Sequence, residues 1–233
     1  MVAIKEIMDE LARLTSENCI ARGLQIGEQT QAASHSLLLW IGYLRGIDNK
    51  NSANCLLDGA LSATKEVLAC LALGLVRPAV NSMRLQIDLV MGWLFFRDHP
   101  VEWARVQLKG DGYKLKSELL KYLVEHVDGF SRRLGILDAQ MTRSERDVYR
   151  LLSAHVHGQS ENTMPTVLRL TDIVGADKLQ DEAIKLQAEC CEYIGDMLWA
   201  VFADKWMSIP NPLQTLLASR FKTTAQRAEF FSL

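Results

Sequence analysis

Arg150, His155 and His157 stand close together in the stretch TRSERDVYRLLSAHVHG, residues 142–158. An arginine fork binds a phosphodiester through two parallel N–H groups and stabilises charge developing on it. A histidine, with an unperturbed pKa of about 6.5, takes a hydroxyl proton or returns one to a leaving oxygen. Together such groups cleave RNA without a metal: the 2′-hydroxyl attacks the neighbouring phosphorus and a 2′,3′-cyclic phosphate results. Spacing alone is a weak signal, since about one Arg–His pair at such spacings arises by chance in a chain of this size.

Placement adds weight. On a period of 3.6 residues, Val148, Leu151, Leu152 and Val156 share one side, with Tyr149 at its margin. Arg143, Arg146, Arg150, Ser153 and His157 line the other. The pattern predicts one helix over residues 142–158, opened by a Thr142/Glu145 capping box and closed by Gly158. Arg150 and His157 are then neighbours two turns apart, whereas His155 turns toward the apolar side. The candidate catalytic set is Arg150 as phosphate clamp, His157 as general acid/base and Ser153 as an orienting group. His155 is the alternative histidine, more simply read as a hydrogen-bonded interior side chain. Arg146 and Arg143 extend the face as substrate-binding residues. The competing reading is a solvated helix face whose arginines pair with Glu145 or Asp147.

Arg84 and Asp88 are spaced i,i+4 among apolar neighbours, which predicts a partly buried structural ion pair. Alternatively, Arg84 reaches the Arg150 site as a second phosphate contact, and Glu66 is a further acidic partner for either arginine. The five tryptophans, at 40, 93, 103, 199 and 206, sit on core stripes or helix ends and read as packing. There is no Gly-rich phosphate loop, no Gly-x-Ser-x-Gly elbow and no Cys–His cluster of metal spacing. His155 and His157, two apart on a helix, point in different directions, so no metal site is expected and no cofactor is called for.

The elements that must position these residues are helical. The five prolines, at 78, 100, 165, 210 and 212, interrupt no long periodic segment. Helices are expected over about 2–14, 30–44, 52–75, 78–97, 101–109, 113–126 and 177–206. A Gly23–Gly27 break divides the first two, a turn or short helix covers 129–137, and one or two short helices lie in 213–231. Residues 159–174 read as a loop. The fold class is all-α, a helical bundle of four to six main helices with short accessory helices. No linker divides the 233 residues, so a single domain over 1–233 is expected.

A net charge of −2 excludes bulk attraction to nucleic acid or membrane and requires a local patch for either. The five cysteines are odd in number and scattered, which suits reduced, buried thiols rather than a disulfide framework. No apolar run reaches the roughly 18 residues of a membrane span. The N-terminus, with Lys5, Glu6, Asp9 and Glu10, lacks a signal-peptide core. A cytoplasmic location without membrane association is expected.

Two stretches together resemble a known family. LALGLVRPAVNSMRLQIDLVMGWLFFRDHP, residues 71–100, resembles the helix pair of an uncharacterised bacterial family with an Arg-x-x-x-Glu helix, Arg84 and Asp88 standing at the two positions. VYRLLSAHVHG, residues 148–158, resembles that family's Tyr-x-x-Leu-Ser-x-x-x-His motif through Tyr149, Leu152, Ser153 and His157. Such proteins are similar to the HEPN superfamily (higher eukaryote and prokaryote nucleotide-binding). The resemblance implies a helical core over about 52–206, with residues 1–46 and 207–233 as extensions. It further implies metal-independent RNA cleavage or RNA binding by an Arg and a following His, in a prokaryotic defence or toxin system. A homodimer that joins two motif helices and an antitoxin or defence partner protein are also implied. The chain departs from the ribonuclease pattern at Leu151, where active members carry a polar residue after the arginine. The alternative class is a non-catalytic helical module that binds a nucleotide or a partner protein through the same face.

Overall fold

The computed structural model describes residues 4–161 and 163–232, and these are all-helical, with no strand among them. Ten α-helices follow in order: α1 Ile4–Ile47, α2 Asn54–Ala72, α3 Val76–Phe96, α4 Pro100–Lys109, α5 Lys116–His126, α6 Phe130–Asp138, α7 Val148–His157, α8 Asp177–Phe202, α9 Asn211–Ala218 and α10 Thr224–Phe231. The expectation of an all-α bundle with accessory helices holds. Among the described residues no helix is long and apolar enough to cross a membrane.

The core is built by α2 and α3, a hairpin closed at Gly74, with α1 and α8 packed beside it. Gly74 has φ 78°, a left-handed conformation that strains any residue with a Cβ. Leu57, Val67 and Leu71 of α2 meet Met83, Ile87 and Val90 of α3, and Trp40, Cys190, Ile194 and Leu198 fill the interior from α1 and α8. Trp40 stands edge-on to Trp199 at 4.6 Å, so both tryptophans pack, as do Trp93 and Trp103. Of the five free cysteines only Cys190 and Cys191 are buried, whereas Cys19 and Cys55 are exposed, against the expectation of interior thiols throughout.

Two differences from the sequence reading are the largest. The first two expected helices are one, a 44-residue α1 that runs unbroken through Gly23 and Gly27; Val2 and Ala3 lie outside the described residues. Two glycines cost about 1 kcal/mol each in a helix, and tertiary contacts around Gly23 offset that cost. Asn18 donates to the Ala72 carbonyl at 2.9 Å. Gln180 donates to Asn18 at 2.8 Å, and Arg22 binds Asp181. The stripe Ile4, Ile7, Met8, Leu11 and Leu14 buries none of its members completely, because the packed part of α1 begins further along.

The second difference bears on function. The helix expected over 142–158 begins only at Val148. Residues 142–146 are held open by acidic side chains of α8. Glu192 accepts the Thr142 N–H at 2.8 Å and also the Thr142 hydroxyl. Glu189 accepts the Ser144 N–H at 3.0 Å and its hydroxyl at 2.6 Å. Backbone donors satisfied from outside do not need a helix. Asp147, not Thr142, is the N-cap, its carboxylate accepting the Arg150 N–H at 3.1 Å. Gly158 in the left-handed conformation closes α7, as expected.

Candidate functional site

The short α7 presents different chemistry on each side. Val148 and Leu152 are fully buried against the core. Toward α3 it offers Tyr149 and Ser153. Arg84 of α3 donates from Nε to Ser153 Oγ at 2.8 Å, hydrogen-bonds the Tyr149 hydroxyl and lies 3.8 Å from the ring centroid. The same guanidinium pairs with Asp88 one turn along α3. Both stretches that carry the family resemblance therefore meet at one seam. Burial lowers the Arg84 pKa, and the neighbouring Tyr149 oxygen opposes that fall.

Tyr113, which the helical patterns did not single out, completes the seam. Its hydroxyl donates to the Asp88 carbonyl at 2.9 Å, and burial pushes its pKa up to about 12. A Cβ on Gly92 would stand 2.1 Å from that hydroxyl oxygen, so only glycine lets the tyrosine in. Arg84 thus forms the partly buried ion pair with Asp88, and its Nε and Nη2 donate to Ser153 and Tyr149 inside the bundle. Glu66 takes neither arginine; it accepts the Ser82 hydroxyl at 3.1 Å.

Arg143 is displaced from the expected face. It is 4% exposed and bound by Asp138 at 2.6 Å, Asp196 at 2.5 Å and Glu192 at 3.4 Å. Its assignment as a substrate-binding residue is corrected: residues 142–146 are not helical, so Arg143 turns inward rather than following Arg150. Arg220 closes this network on Asp196 at 2.8 Å. Arg146 is exposed and touches Asp138 at 3.2 Å.

The solvent edge of α7 carries Arg150 in its first turn and His157 in its last, both exposed. Seven residues at 1.5 Å per residue separate them by about 10 Å along the axis, on one side of the helix. Among the described residues, Arg150 is the one arginine whose guanidinium meets no carboxylate, carbonyl, hydroxyl or aromatic ring. It borders a cleft of about 380 Å³ with Lys116, Arg146, Asp138, Asp147 and Tyr193. Lys116 bridges the cleft wall, 2.7 Å from Asp147 and 4.5 Å from the Tyr149 ring centroid. His155 faces elsewhere, half-buried and free of hydrogen bonds among the described residues, with its pKa lowered by burial and by Arg77.

No protein-family model, curated protein or solved structure matches the chain.

Proposed function

We propose that this protein binds and cleaves RNA through the exposed edge of α7, in the manner of a HEPN-type metal-independent ribonuclease. One observation carries the reading. Among the described residues Arg150 keeps all five guanidinium donors uncommitted, on the helix edge that also carries the exposed His157, whereas Arg84 and Arg143 are bound by carboxylates.

In this reading Arg150 holds the scissile phosphate and stabilises the charge that develops on it. His157 removes the 2′-hydroxyl proton as the 2′-oxygen bonds to phosphorus. The bond to the 5′-oxygen breaks, and that oxygen takes a proton from a second acid. A homodimer that sets two α7 edges side by side supplies it as the partner copy's histidine. Ser153 acts through Arg84, fixing the orientation of α7, and Arg146 flanks the substrate. A place in a prokaryotic defence or toxin system, with an antitoxin partner, belongs to the same proposal.

A second reading has an observation of its own. The cleft beside Arg150 holds Asp138, Glu145 and Asp147 against Lys116, Arg146 and Arg150, a balanced charge that suits a partner protein's mixed surface better than a polyanion. Incubating the purified protein with mixed RNAs in EDTA separates the two. The ribonuclease reading expects fragments ending in 2′,3′-cyclic phosphate, and losses of at least about 100-fold in Arg150→Ala and His157→Ala. Absent cleavage by the wild type, or cleavage unchanged in both variants, leaves the non-catalytic module.

A further inference from the structure

On the far side of α7 from Arg150, a second cavity of about 330 Å³ opens between the start of α3 and the segment that leads into α8. Its lining is mostly apolar, and much of it stands open to solvent. Met164 is 55% exposed and Leu179 49%, areas that a folded chain ordinarily covers. At Gly175 the wall is tied to the turn between α2 and α3. Gly175 donates to the Gly74 carbonyl at 2.8 Å, and a Cβ at Gly175 would stand 3.0 Å from Val76.

At the polar end stand the guanidinium of Arg77 and the imidazole of His155. The Arg77 side chain makes one hydrogen bond among the described residues, to the Thr163 carbonyl at 3.2 Å. The acid on the rim, Asp172, is taken by Arg169 at 2.6 Å. The positive charge of Arg77 therefore faces His155 with no anion between them. An apolar chamber of this size with a few converging polar groups has the build of a small-molecule site. A guanidinium fork with free donors matches a carboxylate in both geometry and charge.

We infer that this cavity binds a small organic carboxylate, its apolar body against Val80, Met164 and Leu179 and its carboxylate on Arg77 and His155. The site lies across α7 from the cleft proposed for RNA and does not depend on that proposal.

Octanoate, octanol and octylammonium serve as matched probes, titrated into the full chain while the His155 ring signals are followed by NMR. Octanoate is expected to bind saturably at least ten-fold tighter than octanol, with octylammonium inert. In the complex the carboxylate offsets Arg77, so the His155 pKa rises toward its usual value. Arg77→Met is expected to lose ten-fold or more in octanoate affinity, and Val167→Trp, which narrows the rim, to weaken octanoate and octanol alike. The inference is overturned by octanol binding as tightly as octanoate, by unchanged affinity in Arg77→Met, or by the absence of saturable shifts in the wild type. Should Arg77→Met fail to fold, the octanoate–octanol comparison and Val167→Trp decide the question.

Discussion

The guanidinium of Arg84 lies 3.8 Å from the centre of the Tyr149 ring, and this contact fastens α7 to the core. The same side chain binds Ser153 and Asp88, so the seam behaves as a unit. Tyr149→Phe keeps the ring and removes the hydroxyl acceptor, and is expected to cost about 1 kcal/mol. Arg84→Met leaves a partly buried Asp88 unpaired and should cost about 3 kcal/mol. Because the two residues touch, the double variant should fall short of the sum by at least about 0.5 kcal/mol. Urea denaturation of the four proteins measures the cycle; strict additivity would mean that the hydrogen bond from Arg84 to the Tyr149 hydroxyl contributes nothing of its own.

A deeper network makes a pH-dependent prediction. Asp196 is almost inaccessible, and burial holds its carboxyl above the usual range although Arg220 and Arg143 pull it down. A carboxyl whose pKa is higher folded than unfolded favours the folded state at low pH, and that advantage is lost as pH rises through the folded value. Arg143→Met removes one of the two opposing cations, raising that pKa further. At pH 7 the variant should lose about 3–5 kcal/mol, the usual loss when a buried pair is broken. Protonated Asp196 no longer needs the guanidinium, so the deficit should narrow as pH is lowered from 7 toward 5. Denaturation midpoints at the two pH values test this; a constant or widening deficit would place the cost elsewhere in the network, on Asp138 or Glu192.

Much of the fold is legible in the sequence because its main helices carry unbroken apolar stripes. Those of α2 and α3 are punctuated by Gly74 and Pro78, and α8 begins at Asp177 as the pattern predicts. The start of α7 is not legible in the same way. Thr142 with Glu145 reads locally as a capping box, yet Thr142 is captured by Glu192 fifty residues later. A signal three residues long loses to carboxylates that arrive only once α8 has folded against it. Arg143 illustrates the consequence for the site: its helical-wheel position is exposed, its actual position buried. Tyr113 is opaque for another reason, since its only trace is Gly92 in the apolar run 89–96 that ends α3, a glycine with no local role. Arg150 and His157 keep the exposed positions that the wheel gives them because both lie inside the true helix.

The continuity of α1 supplies a prediction of opposite sign to the sequence expectation. Nothing lies within 4 Å of a Cβ built on Gly27. Gly27→Ala should therefore stabilise the protein by about 0.5–1 kcal/mol, through the chain entropy that glycine forfeits in a helix. A turn at this position would instead make alanine neutral or harmful. The thermal midpoint of the single variant distinguishes the two outcomes.

The order of α7 itself rests on Asp147, which accepts the Arg150 N–H at 3.1 Å and pairs with Lys116 at 2.7 Å. Removing a capping side chain costs about 1 kcal/mol, up to about 2, and the loss here falls on the turn that carries Arg150. Asp147→Ala should speed hydrogen exchange at the Arg150 amide while leaving the amides of α3 unchanged. Asp147→Asn keeps a cap of equal quality but loses the charge that holds Lys116, so it should restore the amide protection. If Arg150 clamps RNA, alanine should weaken RNA binding and asparagine recover it, because the guanidinium depends on the helix turn beneath it. Equal exchange at the Arg150 amide in the two variants would show that Lys116, rather than the cap, holds this end of α7 in place.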